Sequence, residues 1–207
     1  MVHSPIEIVR EILVKDTANP ATTTLNGAIT ATDTTITLTS GTGFTDATNF
    51  VVKCGTELIV VTRDGVTLTA EAGRRGAFGT TAAIHADGAT IEEATLYDVT
   101  GTRWYYGVHE EDNDSPAGVL QTRDEGPAAE ADVFTPDFTT RVFGGSESWV
   151  DVKMVHRMVW DRLDSVDGES VASGVMIRAW QTGGGQEMID PDVEWKYIVG
   201  FWEAMTR

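Results

Sequence analysis

The chain has 207 residues, is 41% hydrophobic and carries a formal net charge of −17. That length holds one generous domain or two small ones, and the apolar share excludes a disordered chain. With 15 Lys+Arg against 32 Asp+Glu, the composition argues against sequence-independent DNA binding by the molecule as a whole, because such binding rests on phosphate contacts. The lone Cys54 excludes an internal disulfide and a cysteine zinc site. No apolar run approaches the ~18 residues that a membrane-spanning helix needs. The opening MVHSPIEIVREILV lacks a basic segment followed by an unbroken apolar core, so no secretory signal is expected. Lysine is scarce (Lys15, Lys53, Lys153, Lys196). Two readings of the acid surplus stand: a halophilic surface that stays hydrated in high salt, or a surface or channel that must not hold nucleic acid.

Ser4-Pro5-Ile6-Glu7 predicts a helix start, with Ser4 as cap, Pro5 at the first helical position and Glu7 completing a capping box. Ile6, Val9 and Leu13, with Ile8 and Ile12 beside them, carry that helix to about Lys15, before Asn19-Pro20. From Thr22 the texture changes to Thr, Val, Ile, Ala and Gly. Strands are predicted at 25–28, 35–38, 49–54, 57–62, 67–70 and 90–93, with a hairpin turn at Asp64-Gly65, a weaker one at Gly55-Thr56 and a short turn at 81–85. Residues 20–97 therefore read as a small all-β module inserted into a unit made of residues 1–19 and 98–207.

Beyond the module, 103–108 is an aromatic strand, 110–116 an acidic loop and 118–122 a returning strand, together a predicted β-hairpin. A polar linker, 124–132, centres on Gly126-Pro127. A strand at 138–143 stops at Gly144-Gly145, and a helix at 147–163 follows, capped by Ser146 or Ser148. Trp149, Val152, His156, Val159 and Leu163 share one face of it, widened by Val155 and Met158. Strands close the chain at 171–180 and 195–205. Gly183-Gly184-Gly185 and Asp190-Pro191-Asp192 bracket 186–189 as a loop excursion between them. Neither face of the last strand is fully polar, which predicts a helix on one side and a partner on the other. The fold class is α+β, a mixed or antiparallel sheet packed with two helices, plus the inserted small all-β domain.

The chemistry is sparse. The acidic run around Glu110, Glu111, Asp112 and Asp114 lacks calcium-loop spacing and reads as a solvated hairpin tip. None of His3, His85, His109 and His156 forms a ligand pair, and His156 reads as a structural histidine. There is no nucleophile elbow, and the triple glycine is not a phosphate loop. Arg74-Arg75-Gly76 reads as a salt-bridged turn. No enzymatic activity, metal or cofactor is expected. All six tryptophans lie between Trp104 and Trp202. They form either a large aromatic core or, as the favoured reading, include anchors of a subunit interface. The interface candidates are Trp149, Arg157, Asp161, Arg162, Trp195 and Trp202.

The order of these elements resembles the tail-terminator proteins, also called minor tail or head–tail joining proteins, of long-tailed phages and archaeal tailed viruses. The resemblance spans the first helix, the hairpin and Asp137-Phe138-Thr139-Thr140-Arg141-Val142-Phe143-Gly144-Gly145, which is similar to a strand ending in R-V-x-G. It continues through a helix ending in Asp161-Arg162-Leu163 and a final strand after the Asp190-Pro191-Asp192 turn. The chain departs from that family in its long insert and in having no Gly-Arg after Asp190. Within the insert, the string R-G-x-x-G-T-x-A-x-x-H-x-x-G-A, from Arg75 to Ala89, resembles a β module of virion head and tail proteins.

The resemblance implies a ring, usually of six subunits, that caps the tail tube at its head-proximal end and joins it to the head connector. It implies three partners: further copies of the chain, the tail tube protein and a connector or stopper protein. It implies neither specific nucleic-acid binding nor membrane attachment. The site would be a virion neck assembled in the host cytoplasm, with Glu110, Glu111, Asp112 and Asp114 lining a lumen. Arg74, Arg75, His85 and Asp87 would brace a turn of the β module. The alternative is a baseplate, tail-tip or other neck component whose β module binds a host surface or a neighbouring virion protein.

Overall fold

A computed structural model describes residues 4–15, 20–45, 48–70, 73–106, 117–124, 137–143, 149–189 and 196–207. The chain divides into two compact units, Thr17–Val99 and the pair of segments Met1–Asp16 and Thr100–Arg207. In chain order the elements are α1 (Pro5–Val14), β1 (Thr22–Thr24), β2 (Thr35–Thr37), β3 (Phe50–Cys54), β4 (Glu57–Asp64), β5 (Thr67–Ala70), β6 (Thr90–Glu93) and α2 (Leu96–Thr100). Then follow β7 (Trp104–Tyr106), β8 (Ala117–Asp124), β9 (Asp137–Phe143), α3 (Trp149–Asp164), β10 (Glu169–Val171), β11 (Gly174–Ile189) and β12 (Lys196–Thr206). The protein is mostly β, with two six-stranded sheets and three helices among the described residues.

In the unit of residues 17–99 the strand order is β1-β6-β3-β4-β5-β2, antiparallel throughout. The two edge strands also meet. Asn26 N donates to Thr37 O at 2.8 Å, and Thr39 N to Thr24 O at 2.9 Å, so the sheet curls closed like a small barrel. Alternation sends Ile36, Val52, Ile59, Val61, Leu68 and Ile91 into one core with Leu25, Leu38, Phe44 and Phe50. The β4–β5 turn falls at Gly65-Val66, where Gly65 takes φ +60, a conformation that glycine reaches at little cost. The short turn expected at 81–85 is not helical. His85 bridges Ile29 instead, with backbone bonds in both directions. Helix α2 was not expected. Its start is a reciprocal cap in which Asp98 Oδ2 accepts from Thr95 N at 2.8 Å and Thr95 Oγ1 accepts from Asp98 N at 3.2 Å.

The other unit has the strand order β10-β11-β12-β9-β8-β7. Helices α1 and α3 lie on its face that carries Thr140, Gly200 and Trp202. Helix α1 buries Ile8, Val9, Ile12 and Leu13 as expected, but Ser4 caps it without a side-chain hydrogen bond. Helix α3 buries Val152, Val155, Val159 and Leu163. Two expectations are corrected. First, β7 and β8 pair in parallel, with Trp104 opposite Gly118, so they are not a hairpin. The Trp104 ring lies against Gly118 where a Cβ would sit, and its Nε1 donates to Thr100 Oγ1 at 3.2 Å, which holds this edge in place. Second, 186–189 is no loop excursion. Strand β11 runs on to Ile189, paired with β12, with register shifts on either side of Gly183 and Gly184. A Cβ on Gly184 would stand 2.7 Å from Gly200 Cα, so the glycines allow a close, bulged crossing rather than a turn.

Gly200 also lies beneath α3. A Cβ there would meet Trp202 Nε1 at 2.6 Å, Thr140 Oγ1 at 2.9 Å and His156 Cε1 at 3.1 Å. Gly200→Ala is expected to cost about 1–3 kcal/mol through overpacking, read as a lower urea midpoint by tryptophan fluorescence.

Candidate functional site

The helices cover one face of the second sheet. On the other, alternate residues of four strands form an open groove of about 500 Å³. Its lining is Gln121 of β8, Thr139 and Arg141 of β9, Gln186 and Met188 of β11, and Tyr197, Val199 and Phe201 of β12. The pairing register explains the set: Arg141 stands opposite Val199 and Thr139 opposite Phe201, so all of them project the same way. Phe143 stacks on Tyr197 with ring centres 5.1 Å apart. Arg141 Nη2 donates to Gln121 Oε1 at 3.1 Å. The groove thus joins an apolar floor, two amides and one guanidinium. That donor set suits a carboxylate-bearing partner. The last strand, expected to be covered on both faces, carries described helices on only one.

A second cluster lies in the barrel-like unit. Glu57 is fully buried, at 0% exposure. Its Oε1 accepts from Arg75 Nε at 2.7 Å and Gly76 N at 3.0 Å. Its Oε2 accepts from Arg75 Nη2 at 3.0 Å, Ala83 N at 3.1 Å and His85 Nε2 at 2.8 Å. Arg75 further donates to the carbonyls of Thr30, Asp33 and Ala83. Burial alone would raise the Glu57 carboxyl, but the Arg75 and His85 hydrogen bonds outweigh it and hold the pKa below the ordinary value. Asp87 Oδ1 accepts from Gly27 N at 2.7 Å, and the Arg74 carbonyl from Val60 N at 3.1 Å. Of the residues singled out in the sequence, Arg75 and His85 are brought together. Glu57, on which they converge, was missed, because it begins an apolar strand 18 residues before Arg75.

The interface candidates separate. Two are corrected. Trp202 is 1% exposed, stacks with Phe138 at 6.5 Å and donates to Thr140 Oγ1 at 2.9 Å, so it belongs to the core. Arg162 is 7% exposed and bonds within the chain, to the Ile12 carbonyl and to both carboxylate oxygens of Glu169. Trp149 is half-buried, with Lys196 Nζ 5.7 Å from its ring centre. Arg157 and Asp161 are exposed and face each other at 3.8 Å, one helical turn apart. Trp160, not among the candidates, is 41% exposed on the same helix. Trp195, Glu110, Glu111, Asp112 and Asp114 lie outside the described residues. His156 is held neutral-leaning by burial, which lowers its pKa, and its Nδ1 is enclosed without a hydrogen-bond partner. Among the described residues no group of three or more His, Cys, Asp or Glu is placed to hold a metal, and no helix is long and apolar enough to cross a membrane.

No family model matches the chain, and no curated protein does. Among solved structures, a chain from the virion of native gene transfer agent (GTA) particle is similar over 55% of this chain and 85% of its own, at 17% identity and a TM-score of 0.42.

Proposed function

We propose that this chain is a structural virion protein, not an enzyme, and that it needs no cofactor. More finely, it forms a ring of six copies at the head-proximal end of a viral tail, where it caps the tail tube and joins it to the head connector. The observation that carries a structural role is the face of the second sheet on which no described helix lies, a broad groove whose described lining of amides, aromatics and an arginine suits another protein surface. The resemblance of the element order to tail terminators supports the position in the particle, and that of the Arg75–Ala89 string to virion β modules supports a virion component but no one position in it. A second reading, a tail-tip component, draws on Ile84 and Val66, which are 76% and 45% exposed on the barrel-like unit. Native mass spectrometry at high salt tests the ring: a defined oligomer is expected, and a strict monomer at high concentration counts against it. Antibody labelling of particles by electron microscopy separates the positions, with label at the neck supporting the ring and label at the tip supporting the second reading.

A further inference from the structure

The groove has one cation among its described lining residues, on a chain whose net charge is −17. Copies of such a chain repel one another unless a contact sets unlike charges together. Arg141 is placed for that. One of its five donors goes to Gln121, which orients the guanidinium, and among the described residues the others have no acceptor, which leaves them for one in the groove. A planar guanidinium held in this way grips a carboxylate with two parallel bonds, which a lysine does not reproduce. Tyr197 and Phe201 supply an apolar floor beside it, and Met188, 43% exposed, supplies a rim. Along the same side, β11 pairs with β10 only through Gly174–Met176, so its outer edge beyond that pairing has no strand partner among the described residues.

We propose that the groove is the acceptor half of a head-to-tail contact, taking a carboxylate-bearing segment of a second copy of this chain with its acid on Arg141. A chain with 32 acidic residues offers such segments on every copy, and a donor patch that differs from the acceptor patch generates a ring where its rotation closes, rather than a closed pair. The proposal rests on the ring reading but names the face and the charge that build it.

The test uses the full-length chain in sedimentation velocity over a concentration series, with thermal melts alongside. Arg141→Glu is expected to weaken self-association about tenfold or more with an unchanged melt. Met188→Asp, on the exposed rim, is expected to weaken it in the same direction and guards against a folding defect in the first variant. Arg141→Met separates charge from shape: it should associate more weakly than the wild type, and wild-type association would overturn the carboxylate assignment. If both Arg141→Glu and Met188→Asp associate like the wild type, the groove is not the contact, while the ring itself stands. If the wild type is monomeric throughout, the ring reading and this proposal fall together.

Discussion

Arg162→Ala is expected to lower the free energy of unfolding by about 3–5 kcal/mol, the cost of removing one partner from a buried, hydrogen-bonded ion pair. Its guanidinium joins three elements. Nε donates to the Ile12 carbonyl of α1 at 3.1 Å, and Nη1 and Nη2 donate to the Glu169 oxygens of β10 at 2.8 and 2.7 Å. Removing it leaves Glu169 with Lys15, at 2.8 Å but with a side chain 44% exposed, and an exposed lysine compensates poorly. Burial alone would raise the Glu169 carboxyl; the bonds from Arg162 and Lys15 outweigh it and hold the pKa below its ordinary value. Arg162→Lys is expected to recover only part of the loss, because an ammonium cannot span both oxygens and the carbonyl. Urea melts followed by tryptophan fluorescence check this, since all six tryptophans belong to this unit. An unchanged melt with lost self-association would return Arg162 to the subunit interface proposed from the sequence.

That correction shows where sequence reading runs out. Arg162 sits at the edge of an apolar stripe, where a charged residue ordinarily meets solvent; its partner Glu169 is seven residues on, past the helix end. Periodicity located α1 and α3, because each buries a stripe at steps of three and four. Strands β5 and β6 were legible to the residue, since turn residues bound them tightly. Strand direction was not legible. The two-residue alternation of β7 and β8 is the same in a hairpin and in a parallel pair, and the packing of Trp104 on Gly118 decides between them. Gly183-Gly184-Gly185 read as a loop because glycine signals both turns and close crossings; only the approach of Gly200 distinguishes them. The groove was invisible for a related reason. It is assembled from four strands, and its members alternate with core residues in a register that no local pattern records.

Glu57→Gln is expected to cost about 3–5 kcal/mol, centred on residues 73–89. The amide retains the shape but not the charge, so Arg75, with a side chain 6% exposed, stays buried without its counter-ion. The amide nitrogen also replaces one accepting oxygen by a donor, so that it meets either Arg75 and Gly76 or Arg75, Ala83 and His85. Hydrogen exchange of the full-length chain should show lost protection at Gly76 and Ala83 and at the Thr30–Asp33 turn, whose carbonyls Arg75 holds. The pH dependence has a fixed sign. The folded pKa of Glu57 lies below the ordinary 4.5, so the unfolded chain binds the proton first as acid is added. The stabilisation is therefore complete above about pH 4.5 and is lost as pH falls through the folded value. The wild type should lose protection in this loop on acidification, and the Glu57→Gln variant, with no carboxylate at position 57 to titrate, should change less, so that the two converge in acid. Equal protection at neutral pH would mean that the backbone turns hold the loop without the carboxylate. The five donors converging on Glu57 already occupy both of its oxygens, which makes the cluster a brace for the Arg75–His85 loop rather than an acceptor for a ligand.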